Sequence, residues 1–93
     1  MTNPKIAIEK MEKAITYVDD LSSNLLKEGL GGLSAYEKHN LLLREFQEIL
    51  NYLVIHEPTM KLEELNVLME MERSAFNRWR YRERLAYQKG AKQ

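Results

Sequence analysis

The stretch LEELNVLMEMERSAFNRWRYRER, residues 62–84, decides the fold, because the pattern changes there. Two short helical segments, KLEELNVLM and RSAFNRWRYRERLAYQ, flank a tight connection at Glu70-Met71-Glu72. Five arginines lie among Phe76, Trp79 and Tyr81 in 72–84. On a helical wheel of about 100° per residue, Phe76, Trp79, Glu83, Ala86 and Ala75 fall on one side of residues 73–88, with Tyr87 and Arg80 at its margin. The opposite side carries Ser74, Asn77, Arg78, Tyr81 and Leu85, flanked by Arg82 and Arg84. One face is thus suited to packing. The other offers a hydroxyl, an amide, a guanidinium and a phenol.

Working outward, the charge is uneven. Lys plus Arg and Asp plus Glu both number 14, so the whole chain is neutral. Residues 1–57 nevertheless hold six basic and nine acidic side chains, whereas residues 73–93 hold seven basic ones against Glu83 alone, a local +6. Such asymmetry points to contact with nucleic acid or another anionic surface.

Upstream, the punctuation divides the chain cleanly. Asn3-Pro4 is an N-cap followed by the residue best tolerated at a first helical position. The first apolar stripe runs Ile8, Met11, Ile15, Val18, Leu25, widened by Ala14 and Leu21, with Ser22 as its one gap. Gly29 stands where a left-handed residue closes a helix, with Leu30 placed for the accompanying apolar contact. Ser34-Ala35-Tyr36-Glu37 is a capping box announcing a second helix to about Ile55. Its stripe is Leu42, Phe46, Ile49 and Leu53, broadened by Leu43, Leu50 and Val54. His56-Glu57-Pro58-Thr59 is the break. Strand signals are nearly absent, so the class is all-α: a long N-terminal antiparallel hairpin in residues 1–57, then residues 58–93. A 93-residue chain buries a limited core, and a two-helix hairpin cannot cover its own apolar surface. A second hairpin from a homodimer partner is expected to cover it, unless the C-terminal helices do so within one chain.

LEELNVLMEMERSAFNRWR resembles the helix-turn-helix of bacterial and phage regulators: an acidic first helix, a turn, and a second helix with an aromatic near its middle. Laid on that motif, the required apolar positions fall on Leu65, Met69, Met71, Phe76 and Trp79, all filled by large apolar side chains. Two positions depart from it. The usual small residue of the first helix is Asn66, and the turn glycine is Glu70, where a left-handed conformation costs about 1–2 kcal/mol. The resemblance covers under a third of the chain. It implies a second helix lying in the major groove of double-stranded DNA, with a two-fold dimer spacing two such helices about 34 Å apart.

Ser74, Asn77, Arg78 and Tyr81 are the expected base contacts, because Arg suits guanine, Asn suits adenine and Ser either kind of partner. Arg73, Arg80, Arg82, Arg84 and Lys89, with Lys92 beyond, suit phosphates, which add affinity without sequence information. The expected function is a sequence-specific transcriptional regulator or DNA-site-recognition factor of a bacterium, phage or mobile element. The alternative is a helical interaction module, a phage or plasmid protein binding a host factor, whose basic helix 73–88 meets an acidic protein partner. Burial of the Trp79 indole against Leu65 and Met69 favours the first, and exposure beside Tyr81 favours the second.

No catalytic residue, metal ligand or cofactor is expected, and the reading is not of an enzyme. His56-Glu57 lacks the second histidine of a zinc helix, since Met60 stands there. His39 is alone, and Asp19-Asp20 reads as a solvated face because adjacent helical residues diverge by about 100°. GLGGL lacks the Lys and Ser/Thr of a phosphate loop. Absent cysteines, a long apolar run and a signal-peptide pattern, a cytoplasmic protein without membrane contact is expected.

Overall fold

The computed structural model describes residues 4–91, with side chains for 5–88. Three helices form an elongated bundle of 55 × 24 × 17 Å: α1 (Pro4–Lys27), α2 (Ala35–His56) and α3 (Leu62–Ala91). Among the described residues none is in a strand, and no helix is long and apolar enough to cross a membrane.

The C-terminal end of α1 and both ends of α2 follow from the local chemistry, while the expected cap Asn3 lies outside the described residues. The Leu30 N–H donates to the Leu25 carbonyl at 3.0 Å and the Gly29 N–H to Leu26 at 3.1 Å, with Gly29 at φ +76°. This is the paired closure that a left-handed glycine permits. Leu30 itself stays exposed. The gap at Ser22 has a purpose that periodicity did not show. Ser22 is buried, and its hydroxyl accepts the Leu33 N–H at 2.9 Å, tying the interhelical loop to α1. The loop approaches closely there, since a Cβ on Gly32 would lie 3.1 Å from Ser22 Oγ and 3.0 Å from Leu26 Cγ.

Both arms of the capping box at the start of α2 are formed. The Glu37 N–H donates to Ser34 Oγ at 3.1 Å, and the Ser34 N–H donates to Glu37 Oε1 at 3.0 Å. At the other end the Glu57 N–H donates to the Leu53 carbonyl at 2.8 Å, and a turn through Pro58 and Thr59 leads to Met60. The Lys61 N–H then donates to Glu64 Oε2 at 3.3 Å, which satisfies a donor ahead of α3.

The expected turn at residues 70–72 is replaced by helix. Helix α3 is a single element of 30 residues, and Glu70, Met71 and Glu72 lie within it. Three causes act together. No glycine or proline occurs between Leu62 and Lys89, Leu, Glu, Met and Arg are good helix formers, and a turn would force Glu70 into a costly left-handed conformation. Among the described residues only glycines have positive φ. The unbroken register also changes which side chains go inside. Leu68, Ala75 and Trp79 are the buried positions, whereas Met69, expected inside, is 47% exposed.

One core runs through all three helices. It joins Ala7, Met11, Ala14 and Val18 of α1 to Ala35, Leu42, Ile49 and Leu53 of α2 and to Leu68, Ala75 and Trp79 of α3. Burying one large apolar side chain is worth roughly 1.5–3 kcal/mol, so Trp79, Met11, Leu42, Leu68 and Val18, the largest buried ones, dominate cohesion. Helix α3 of the same chain covers part of the hairpin surface expected to await a second subunit. Leu43 and Val54, counted into the α2 stripe, are 44% and 74% exposed.

Two outcomes test this account. Gly29→Ala should lower stability by about 1–2 kcal/mol, read from the urea midpoint. Backbone and side-chain hydrogen bonds with Ser34 hold the Glu37 carboxyl below its ordinary value of 4.5. Its contribution is therefore complete above that value and lost as pH falls through the lower, folded one. Glu37→Gln should accordingly show a shallower loss of stability below pH 4.5 than the parent chain.

Candidate nucleic-acid interface

The basic half of α3 is rooted at one point. Trp79 is buried, and its indole N–H donates to Asp19 Oδ1 at 2.7 Å. Lys38 Nζ lies 3.5 Å from the same oxygen and 5.5 Å from the centre of the Trp79 ring. Arg78 donates to Asp19 Oδ2 at 3.3 Å. One carboxylate of α1 thus gathers a cation of α2 with a cation and an indole of α3. Asp19, read from sequence as part of a solvated pair, is an anchor, while Asp20 is exposed. Trp79 is therefore architectural, although it packs against the hairpin and not inside a helix-turn-helix.

Beyond Trp79, every described residue of α3 through Gln88 is exposed. Ser74, Asn77 and Tyr81 form an exposed outer stripe, and Arg78 joins it with a side chain 43% exposed and one donor engaged by Asp19. Four of the five expected phosphate-binding side chains are described, and they differ. Arg73 pairs with Glu70 at 3.5 Å, with both side chains 66% exposed, a geometry worth about 0–1 kcal/mol. Arg80, at the margin of the packing side, leans over the rings of Tyr36 and Phe76, 5.8 and 5.7 Å from their centres. Arg82 and Arg84 have no ion-pair partner among the described residues. The Lys89 side chain and all of Lys92 lie outside the described residues.

Two contacts fasten this half of α3 to α2. Glu83 Oε2 accepts the Ala35 N–H at 2.7 Å. Further back, His39 is not a lone surface histidine: its Nδ1 faces Glu72 Oε1 at 2.5 Å, and its ring lies 4.3 Å from that of Phe76. Both atoms are shielded from water. Phe76 is half-buried through His39 and Tyr36, and Leu65 and Met71 are half-buried against the core.

Sequence reasoning placed the outer stripe in solvent, as it is. It missed Asp19, Glu83 and His39 as positioning residues. A buried indole announces that it needs an acceptor, but nothing local says that the acceptor lies 60 positions away.

The anchor can be tested by comparing two changes at one position. Asp19→Leu leaves the indole N–H without its acceptor and should cost about 1–3 kcal/mol. Asp19→Asn keeps an acceptor oxygen and should cost less. Urea titrations followed by Trp79 fluorescence measure both, and equal losses would remove the hydrogen bond from its anchoring role.

Comparison with protein-family models, characterised proteins and solved structures finds no match. The site therefore rests on its own residues.

Proposed function

We propose that this chain is a sequence-specific DNA-binding protein that lays the outer face of α3 against a duplex. The carrying observation is the pair of guanidiniums, Arg82 and Arg84, without an ion-pair partner among the described residues, on an exposed helical arm within a region of local charge +6. Arginines used for stability alone would be expected to find carboxylates, as Arg78 and Arg73 do.

In this reading Ser74, Asn77 and Tyr81 meet base edges. Arg78 meets them with the donors that Asp19 leaves unused, since a guanidinium carries five N–H groups in a planar fork. Arg73, Arg80, Arg82, Arg84 and Lys89 meet phosphates. A helix is the right width for a major groove, and no helix-turn-helix is needed to deliver one already on the outside of a bundle. A homodimer would present two such faces to a pseudo-palindromic site. A regulator or DNA-site-recognition factor is the role that fits.

A second reading rests on Tyr81, Leu85 and Tyr87, which are 61%, 40% and 77% exposed beside the arginines. Tyr and Arg are typical anchors for protein partners, so a helical module binding an acidic protein is the alternative.

Binding of the purified chain to mixed genomic fragments at two salt concentrations, followed by sequencing of what is retained, separates the two. The DNA reading expects an enriched motif and steep salt dependence. Arg82→Ala or Arg84→Ala should reduce the slope of log K against log salt by about 0.9 each, without altering the motif. Arg78→Ala should relax the motif, with a loss of about 1–3 kcal/mol at the preferred site. Neither motif nor salt dependence would transfer the arm to the protein-partner reading.

A further inference from the structure

A second face of the same arm is built differently. Arg80, Arg84 and Tyr87 follow one another at helical spacings of four and three, so they share a side of α3 distinct from the outer stripe. With Glu83, and with Tyr36 from the first turn of α2, they line an open cleft of about 280 Å³. We propose that this cleft binds single-stranded nucleic acid, taking one phosphate on Arg80 and Arg84 and stacking bases on Tyr36 and Tyr87.

Four observations favour that ligand. The Tyr36 ring is 58% exposed yet held: Phe76 meets it edge-on at 5.5 Å and 67°, and Arg80 lies over it at 5.8 Å. It is therefore a positioned ring on a residue that stays largely exposed. Tyr87, 77% exposed, supplies a second ring. Among the described residues Arg84 has no ion-pair partner, and Arg80 is oriented by ring stacking and not by a carboxylate. Glu83 is the one acid in the lining, and it is engaged by the Ala35 N–H at 2.7 Å.

Positive charge with stacking rings is what an unpaired strand needs, because its bases present free faces. A duplex hides those faces within its own stack, and an acidic peptide would use the arginines but leave two phenol rings without a task. The site goes beyond the duplex reading: it shares Arg80 and Arg84 with that reading and adds the rings of Tyr36 and Tyr87, which the duplex does not use.

The test is fluorescence anisotropy of a labelled oligothymidylate of about ten nucleotides with the full-length chain. Tyr87→Leu and Tyr36→Leu should each weaken binding roughly 5- to 150-fold, the range for loss of one stacked base, while leaving the salt slope unchanged. Tyr36→Phe should bind like the parent. Arg84→Ala should reduce the salt slope by about 0.7. Tyr81→Leu, on the outer stripe, should leave oligothymidylate binding unchanged, and the Tyr87 change should leave duplex binding unchanged. Tyr87 is largely solvent-exposed, so its variant keeps the fold even if the Tyr36 change disturbs Phe76.

The proposal is overturned if the parent fails to bind the oligonucleotide, if Tyr87→Leu binds as tightly as the parent, or if polyglutamate of equal charge competes as well as unlabelled oligothymidylate. Loss of the genomic motif with retained oligothymidylate binding would instead remove only the duplex reading.

Discussion

The structure depends on the hydrogen bond from the Trp79 indole to Asp19. A tryptophan offers the largest apolar surface a helix can bring to a small core, but its N–H must not be buried without an acceptor. Asp19 resolves that conflict. A lone carboxylate at a helix junction is itself costly, and Lys38 and Arg78 on either side offset the cost. The result is a joint to which all three helices contribute, and it explains how 93 residues can use α3 as the third wall of a bundle while leaving the far half of that helix in solvent.

Much of the framework was legible because it is local. A glycine closure, a Ser-x-x-Glu box and a proline break each act within a few residues, and each appears where the sequence puts it. What was not legible was decided at longer range. Around Glu70 the apolar spacing suits two short helices as well as one long one; the absence of glycine and proline and the good helix formers remove the turn, and packing against α1 and α2 then sets which side chains go inside. That packing put Leu68 inside and Met69 outside. Ser22 shows the same limit from the opposite side, since a polar gap in a stripe gave no sign that it would be buried to hold the loop.

The site divides along the same line. That Ser74, Asn77 and Tyr81 face solvent follows from helical spacing alone, so the wheel found it. Arg78 and Arg80 were harder, because a long flexible side chain goes where its partner is, and the partners are Asp19 on one helix and two aromatic rings straddling α2 and α3. The cleft beside Arg84 was invisible for the same reason. Half of its aromatic lining comes from Tyr36, far away in the chain.

Glu83 marks the last point at which a described residue of α3 bonds to the rest of the bundle. From Arg84 to Gln88 the described residues have no tertiary hydrogen bond of that kind. A free segment of that length would not begin a helix in water, because nucleation is unfavourable. Here the first turns already exist, so each further residue needs only to propagate them. The arm is thus helical on loan from the bundle. Its helicity should rise and fall with temperature, charge repulsion among the arginines and the presence of a polyanion, independently of whether the core beneath it is folded.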